Sequence, residues 1–475
     1  MTSKTADRET VIQHATDAFD GGAFFKGLAD LVALRTESQN PQNRAALTAY
    51  VRDAIPEKLE GLGFEFMQFD NPIPGGGPLL LARRIEDPHA TTVLYYGHGD
   101  VVLGMEGMWS HDRDPWTLTA NGDIWYGRGT ADSKGQHWVT IAAIRSIIEK
   151  RGRLGFNLKL LIETSEEIGS PGLREFCETN RALLAADVMI GSDGPRLNRQ
   201  YPTMFMGSRG NMVCRLRVKY REDDRHSGNW GGVLRDPIVR LTHAIASIVD
   251  ANGKILVPEW RPDTLTPSVR KALSHEAFEA AFDGSEIDRD WGEPGLTPAE
   301  RLFGWNSFSV VAIGSGNVAR PVNVIRKDAE AVCQLRYVVG TNPKAIVEDL
   351  RRHLDSRGFG DVTIEAARDE PSVPTRLDPD HAWAQFVVTS MKATEGMDPI
   401  ILPNLAATLP NDCFSEVLGL PTIWIPHSFP ECRQHATDEH ADATILRQGL
   451  RLMTGLFLDI GDDAHRRSSP SAEAV

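Results

Sequence analysis

The stretch YYGHGDVV, residues 95–102, ends an apolar run with a histidine and an aspartate two positions apart. Because side chains alternate along a strand, His98 and Asp100 face the same side if the strand continues. The histidine is then placed to bind a metal, and the aspartate to hold its other ring nitrogen. A lone pair of this kind is more often a satisfied polar pair at a strand end, so its meaning depends on the rest of the chain.

Around this stretch, from about residue 90 to 195, apolar runs alternate with segments of helical spacing. The predicted strands are TTVLYY (91–96), FNLKLLIE (156–163) and ADVMIGS (186–192), and the predicted helices are SKGQHWVTIAAIRSIIEKRG (133–152) and PGLREFCETNRALL (171–184). This alternation predicts an α/β fold in which the faces of the sheet are covered. The same pattern returns after about residue 378.

Between about residues 210 and 370 the order changes to β-α-β-β-α-β. The strands are NMVCRLRVKY (211–220), SFSVVAIG (307–314), AEAVCQLRYVV (329–339) and DVTIEAA (361–367), and the helices are DPIVRLTHAIASIVDANG (236–253) and PKAIVEDLRRHLDSRG (343–358). This order predicts one sheet with two helices, interrupted by an insertion at 251–305. We therefore expect a larger domain, 1–208 with 378–475, and a smaller one, 209–377, inserted into it. The polar stretch RRSSPSAEAV (466–475) is predicted to be disordered.

Composition restricts the partners and the ligands. The net charge of −14 argues against a nucleic-acid partner, which a broad basic face would hold. No run of 18 apolar residues and no apolar segment in the first 25 residues is visible, so we expect a cytoplasmic protein with no membrane partner. The five cysteines form no C-x-x-C pair, so the expected metal ligands are histidine and carboxylate.

Further candidates each follow a predicted strand, where ligands collect in open α/β sheets. They are Asp132 in GRGTADSKG, Glu166 and Glu167 in ETSEEIGSPG, Asp193 in IGSDGP, and His435 and His440 in CRQHATDEH. Taken singly, each has an ordinary alternative: a helix N-cap, solvated loop acids, a turn residue and a surface histidine. Adjacent carboxylates nevertheless suit a division of labour in which one binds a cation and the other moves a proton.

The ordered set of motifs resembles the cocatalytic zinc exopeptidases typified by aminoacylase, carboxypeptidase G, succinyl-diaminopimelate desuccinylase and carnosinase. The resemblance covers roughly residues 25–460, and the inserted unit is similar to the family's lid and dimerisation domain. It implies a zinc-exopeptidase-like catalytic domain and a homodimer formed through the inserted domain. The implied reaction is metal-dependent hydrolysis of an amide bond in a dipeptide or an N-acyl amino acid.

The resemblance also implies a role for each motif residue. Asp132 bridges two divalent ions, His98 and Asp193 bind one ion, Glu167 and His435 bind the other, Asp100 supports His98, and Glu166 is the general base. Two histidines and three carboxylates suit zinc first, with cobalt or manganese as alternatives.

Three residues of the inserted unit match lid residues of the family. His226, in RHSGNWGG, resembles the lid histidine that reaches the partner's active site, although a surface histidine is the alternative. Arg336, in QLRYVVG, and Asn323, in RPVNVI, match residues that hold the substrate's carboxylate. A strand arginine is also typical of a structural ion pair.

One segment departs from the family pattern. NLAATLPND (404–412) stands where relatives carry a glycine-rich turn, and the methyl groups of Ala406, Ala407 and Thr408 restrict φ and crowd a close backbone contact. This departure motivates a second hypothesis, hydrolysis of a non-peptide C–N bond in an aromatic amide or amine by the same dinuclear site. A third hypothesis is a non-catalytic binding protein, against which the intact Glu166 and all five presumed ligands argue.

Overall fold

The computed structural model describes residues 2–278, 287–367 and 372–463. The chain divides into two compact units, the first of Met1–Met206, Pro379–Ile401 and Pro410–Val475 and the second of Gly207–Asp378 and Leu402–Leu409. The stretch 466–475, predicted to be disordered, lies outside the described residues. None of the described helices is long and apolar enough to cross a membrane.

The described residues form the following strands and helices, each type numbered in chain order. The strands are β1 Glu65–Phe69, β2 Leu79–Arg84, β3 Thr92–His98, β4 Thr119–Asn121, β5 Ile124–Tyr126, β6 Asn157–Glu163, β7 Val188–Gly191, β8 Thr203–Phe205, β9 Gly210–Lys219, β10 Arg225–His226, β11 Ser307–Gly314, β12 Val324–Ile325, β13 Asp328–Tyr337, β14 Thr363–Ala366, β15 Ile400–Leu402, β16 Thr422–Trp424 and β17 His440–Asp442. The helices are α1 Thr2–Asp20, α2 Ala23–Val32, α3 Arg44–Ala49, α4 Ile55–Lys58, α5 Lys134–Arg151, α6 Leu173–Thr179, α7 Arg181–Leu184, α8 Ser227–Trp230, α9 Pro237–Ile248, α10 Pro267–Ala272, α11 Pro298–Gly304, α12 Ile346–Ser356, α13 Ala382–Glu395 and α14 Ala443–Asp463.

The largest sheet has eight strands in the order β1-β2-β6-β3-β7-β16-β8-β15. Strands β6, β3, β7 and β16 are parallel, whereas β1 and β2 complete one side antiparallel. Helix α5 contacts β3 and packs against α1 and α14. Since the parallel strands are buried almost throughout, both faces of the sheet are covered, and the predicted α/β fold class is confirmed. The antiparallel strands that make the sheet mixed were not predicted.

The second unit contains a four-stranded antiparallel sheet in the order β11-β13-β9-β14. Leu241 of α9 and Leu350 of α12 join Leu216 and Leu335 of the sheet in one buried cluster. The predicted order β-α-β-β-α-β is therefore confirmed, although the role of this unit as a lid remains a prediction.

Within the described residues of the insertion at 251–305, the α-helices α10 and α11 are ones that hydrophobic periodicity does not predict. Each is only six or seven residues long, too short to display an amphipathic face. Both begin with a threonine N-cap followed by proline, at Thr266 and Thr297. The Thr-Pro pair is thus the local signal that identifies them.

The segment Leu402–Leu409 groups with the second unit, whereas we expected all of 378–475 in the larger domain. The reason is a set of backbone hydrogen bonds: the N–H of Leu405 donates to the carbonyl of Gly207 at 2.8 Å, and that of Arg209 to the carbonyl of Ala407 at 3.1 Å. Such long-range pairing leaves no local pattern in the sequence.

Candidate metal centre

Three neighbouring parallel strands deliver the central residues of the site. His98 is the last residue of β3, Glu166 and Glu167 lie in a 3-10 turn after β6, and Asp193 follows β7. Because the carboxyl ends of parallel strands meet at one edge of a sheet, these side chains come together. The candidate ligands therefore lie together at the carboxyl ends of the central parallel strands.

Five of the predicted residues form two ligand groups that share Asp132. One group is His98, Asp132 and Asp193; the other is Asp132, Glu167 and His435, and within each group the ligand atoms lie within 4.8 Å of one another. In the first, Nε2 of His98 is 3.2 Å from Oδ1 of Asp132 and 3.6 Å from Oδ2 of Asp193. In the second, Nε2 of His435 is 3.1 Å from Oδ2 of Asp132 and 3.0 Å from Oε2 of Glu167.

These residues fit a pair of divalent cations. Among the described residues, the buried atoms Nε2 of His98 and Oε1 of Glu167 make no hydrogen bond, despite the short distance from His98 to Asp132. Unpaired buried donors and acceptors are rare in proteins, and these two atoms belong to residues of the two ligand groups. A set of imidazole and carboxylate groups without thiolate suits zinc, cobalt or manganese.

The protonation equilibria of the site reflect its crowded negative charge. Burial, followed by the charge of neighbouring carboxylates, raises the pKa of Glu166, Glu167 and Asp193 above their usual values. Hydrogen bonds to Asp132 and Glu167 raise the pKa of His435. Carboxylates this close repel one another when ionised, and bound cations would remove that repulsion.

Asp100 connects the histidine to the pair of glutamates. Its two carboxylate oxygens accept the backbone N–H groups of Glu166 and Glu167, each at 3.1 Å. Nδ1 of His98 lies 3.1 Å from the backbone carbonyl of Asp100 and 3.4 Å from its carboxylate. The sequence predicts support of His98 alone, whereas the structure also places Asp100 beneath the turn that carries the glutamates.

Sequence reasoning missed a second support of that turn. The buried carboxylate of Glu163 accepts hydrogen bonds from the hydroxyl groups of Tyr96 at 2.6 Å and Ser170 at 2.9 Å. Ser170 has a left-handed φ of 49°, a conformation that such a hydrogen bond helps to hold. Glu163 is the first acidic residue in ETSEEIGSPG, and its presence beside Glu166 and Glu167 was the available signal.

Of the two late histidines, the residues alone leave the ligand open and the family resemblance implies His435, which the geometry supports. His435 joins the second ligand group. His440 belongs to neither group: its Nδ1 lies 2.9 Å from the carbonyl of Asp438, and its ring packs near Tyr126 and Phe429.

The predicted lid residues all lie in the second unit. His226 is exposed on β10, which pairs with β12, and the carbonyl of Asn323 accepts the N–H of Ser227 at 2.9 Å. Arg336 lies on β13 and is half-buried. In the described part of the chain its guanidinium has no hydrogen bond or ion pair, so the structural ion pair considered above is not observed.

The turn formed by Ala406, Ala407 and Thr408 adopts ordinary backbone conformations. None of Ala406, Ala407 and Thr408 has a positive φ. The hydroxyl of Thr408 donates to the carbonyl of Arg209 at 3.0 Å. The turn itself therefore does not require glycine. Of the two effects expected from the missing glycines, only the crowding of a ligand, by the exposed Ala407, remains a prediction.

Comparison with known proteins identifies the family. Residues 94–459 match the model of peptidase family M20/M25/M40. The chain is 26% identical to the human Beta-Ala-His dipeptidase, over 92% of this chain and 90% of the relative, and 32% identical to the Cys-Gly metallodipeptidase of Saccharomyces cerevisiae, over 83% and 85%. It is similar to the crystal structure of human carnosine dipeptidase 1, with a TM-score of 0.73 and 25% identity over 96% of this chain and 99% of that one. The resemblance inferred from the motifs is confirmed: the chain belongs to peptidase family M20/M25/M40 and is a metallopeptidase.

Proposed function

We propose that the protein cleaves the amide bond of a dipeptide or an N-acyl amino acid with the help of two divalent ions, most simply zinc, which the two residue groups that share Asp132 would hold. The observation that carries this proposal is the pair of ligand groups sharing Asp132, with Glu166 next to the ligand Glu167. The names of the human and yeast relatives support a dipeptide as substrate.

The chain's own residues then have distinct tasks. The bound ions would polarise the scissile carbonyl and make water a better nucleophile. Glu166 accepts a proton from the attacking water and delivers it to the leaving amine. Asp100 holds the backbone of both glutamates, which fixes the general base relative to the ligand Glu167. His226 would donate a hydrogen bond to the developing oxyanion of the partner subunit's substrate.

Substrate class is tested by product release from a panel that contains β-Ala-His, Cys-Gly, N-acetyl amino acids and aromatic amides. The protein is loaded with zinc, cobalt or manganese, and the Glu166→Ala variant is the control. We expect turnover of dipeptides that disappears in the variant. Turnover confined to the aromatic amides would instead favour the second hypothesis, the non-peptide C–N bond, which rests on the Ala406–Thr408 turn.

We assign Arg336, with Asn323, to the substrate's terminal carboxylate. Loss of a hydrogen bond to a charged group typically corresponds to about a 10- to 100-fold change in affinity. Replacement Arg336→Met is thus expected to raise KM for a dipeptide by about that factor. Arg215→Met, which removes an exposed arginine paired with Glu330 on the same sheet, is the matched control. A dipeptide with an amidated C-terminus should not distinguish Arg336→Met from the wild type; equal KM values for the free acid would contradict the assignment.

We also propose a homodimer formed through strand β11. This strand stands at the end of its sheet, and Val310, Val311 and Ile313 are 40%, 61% and 48% exposed. An apolar edge strand is suited to pairing with a second copy. Light scattering should give the mass of a dimer, and Val311→Lys should shift it toward the monomer. Val239→Lys, at an exposed position of α9, should leave the mass unchanged. A monomeric wild type would refute the proposal.

A further inference from the structure

Glu439, four residues after His435, has its carboxylate inside the loop that carries Asp132. Oε1 accepts the backbone N–H groups of Ala131 at 3.0 Å and Asp132 at 3.1 Å, and both oxygens lie 3.1 Å from the N–H of Gly129. Oε2 accepts Nη1 of Arg128 at 2.8 Å. Glu439 is only 1% exposed, so these donors replace the water that an ionised carboxylate would otherwise bind.

The backbone around Glu439 joins the same two segments. The N–H of Gly127 donates to the carbonyl of Glu439 at 3.1 Å. The next residue, His440, begins β17 and is paired with Tyr126 of β5. Main chain and side chain together thus fix the distance between the segment that ends in Asp132 and the loop that carries His435.

A carboxylate is the side chain that this position requires. All four groups that face it are donors, and a carboxylate is the side chain that only accepts. A glutamine would turn its NH2 group toward a donor and leave a buried N–H unpaired, which is destabilising.

A structural ion pair with Arg128 does not explain the arrangement. Arg128 supplies one of the four donors, and its buried Nε and Nη2 have no hydrogen-bond partner among the described residues. Backbone groups next to Asp132 supply the others. The loop on the other side has left-handed φ angles of 59° at Arg433, 60° at His435 and 59° at Asp438, so it needs an anchor to hold His435 in place.

We propose that Glu439 is a positioning residue that sets the spacing of Asp132 and His435 and thereby the ion affinity of the group formed by Asp132, Glu167 and His435. This inference rests on the ion ligands of the proposed function. Residues that orient metal ligands typically change affinity by about 10- to 100-fold when replaced. His98 ends β3 and Asp193 follows β7, outside the segments that Glu439 joins. The first ligand group therefore depends on Glu439 through Asp132 alone and should be affected much less.

The test is a calorimetric titration of metal-free protein with Zn²⁺. Wild type is expected to bind two ions, and Glu439→Gln to lose about 10- to 100-fold in affinity for one of them. Asp438→Asn is the matched control, because Asp438 is the adjacent carboxylate but binds Ser110 and Arg113 instead. Saturating Zn²⁺ should restore kcat of Glu439→Gln with KM unchanged, which a general loss of structure would not allow.

The outcomes separate this inference from the proposed function. A wild type that does not bind two ions contradicts the ligand assignment itself. If the wild type binds two ions and Glu439→Gln binds both with the wild-type affinities, only the role of Glu439 is contradicted. Arg128→Met, which removes the ion pair but not the backbone donors, should change ion affinity less than Glu439→Gln; an equal loss would favour the ion-pair explanation.

Amide hydrogen exchange of the wild type tests the inference even if Glu439→Gln does not fold. In metal-free protein the N–H groups of Gly129, Ala131 and Asp132 should exchange slowly, because the Glu439 carboxylate orders them without help from ions. Rapid exchange that becomes slow only after Zn²⁺ is added would overturn the proposal.

Discussion

Replacement of Glu166 by glutamine should lower kcat by about 10²- to 10⁴-fold while the protein still binds two ions. Glutamine has nearly the same shape but cannot take a proton from water or deliver one to the leaving amine. Its backbone N–H still donates to Asp100, so the neighbouring Glu167, the proposed ligand, keeps its position. Steady-state kinetics on a dipeptide measure the effect.

The control for this variant is Glu175→Gln, an exposed glutamate of α6, which should retain wild-type kcat. Ion titration of Glu166→Gln must give the wild-type stoichiometry, which separates loss of the base from loss of a metal. A decrease in kcat of less than tenfold would exclude Glu166 as the general base.

Asp132→Asn should lose high affinity for both ions, since Asp132 is the one residue that the two ligand groups share. Only His98 with Asp193, and Glu167 with His435, then remain as partial sites. The loss in each affinity should exceed the roughly 100-fold upper range for residues that merely orient ligands. Calorimetric titration with Zn²⁺ is the measurement.

Asp193→Asn is the matched variant, because Asp193 belongs to one group only. This variant should weaken the binding of one ion and leave the affinity for the second ion close to the wild-type value. If Asp132→Asn and Asp193→Asn behaved alike, the ions would not share a bridging carboxylate, and two independent sites would be the better description.

The sequence predicts the parts of this fold that local periodicity determines. The strand that ends at His98 and the helix 133–152 both appear within two residues of their predicted bounds, at β3 and α5. The short helices α10 and α11 were missed because one or two turns carry no measurable period. The third hypothesis, a non-catalytic binding protein, is not supported, since the chain is a metallopeptidase.

What the sequence does not predict are contacts between distant residues. Glu439 accepts the N–H of Asp132 across 307 positions, and no local pattern distinguishes it from a solvated loop acid. Without the family resemblance, the residues likewise do not distinguish His435 from His440, because that depends on where the loop lies beside Asp132. The order of the motifs indicates the family, and the three-dimensional arrangement explains why the proposed ligands lie close together.

The most direct test of the dinuclear site is a crystal structure of zinc-loaded protein with anomalous data at the zinc edge. Two anomalous peaks are expected, one coordinated by His98, Asp132 and Asp193 and the other by Asp132, Glu167 and His435. A single peak, or peaks that do not contact Asp132, would contradict the account.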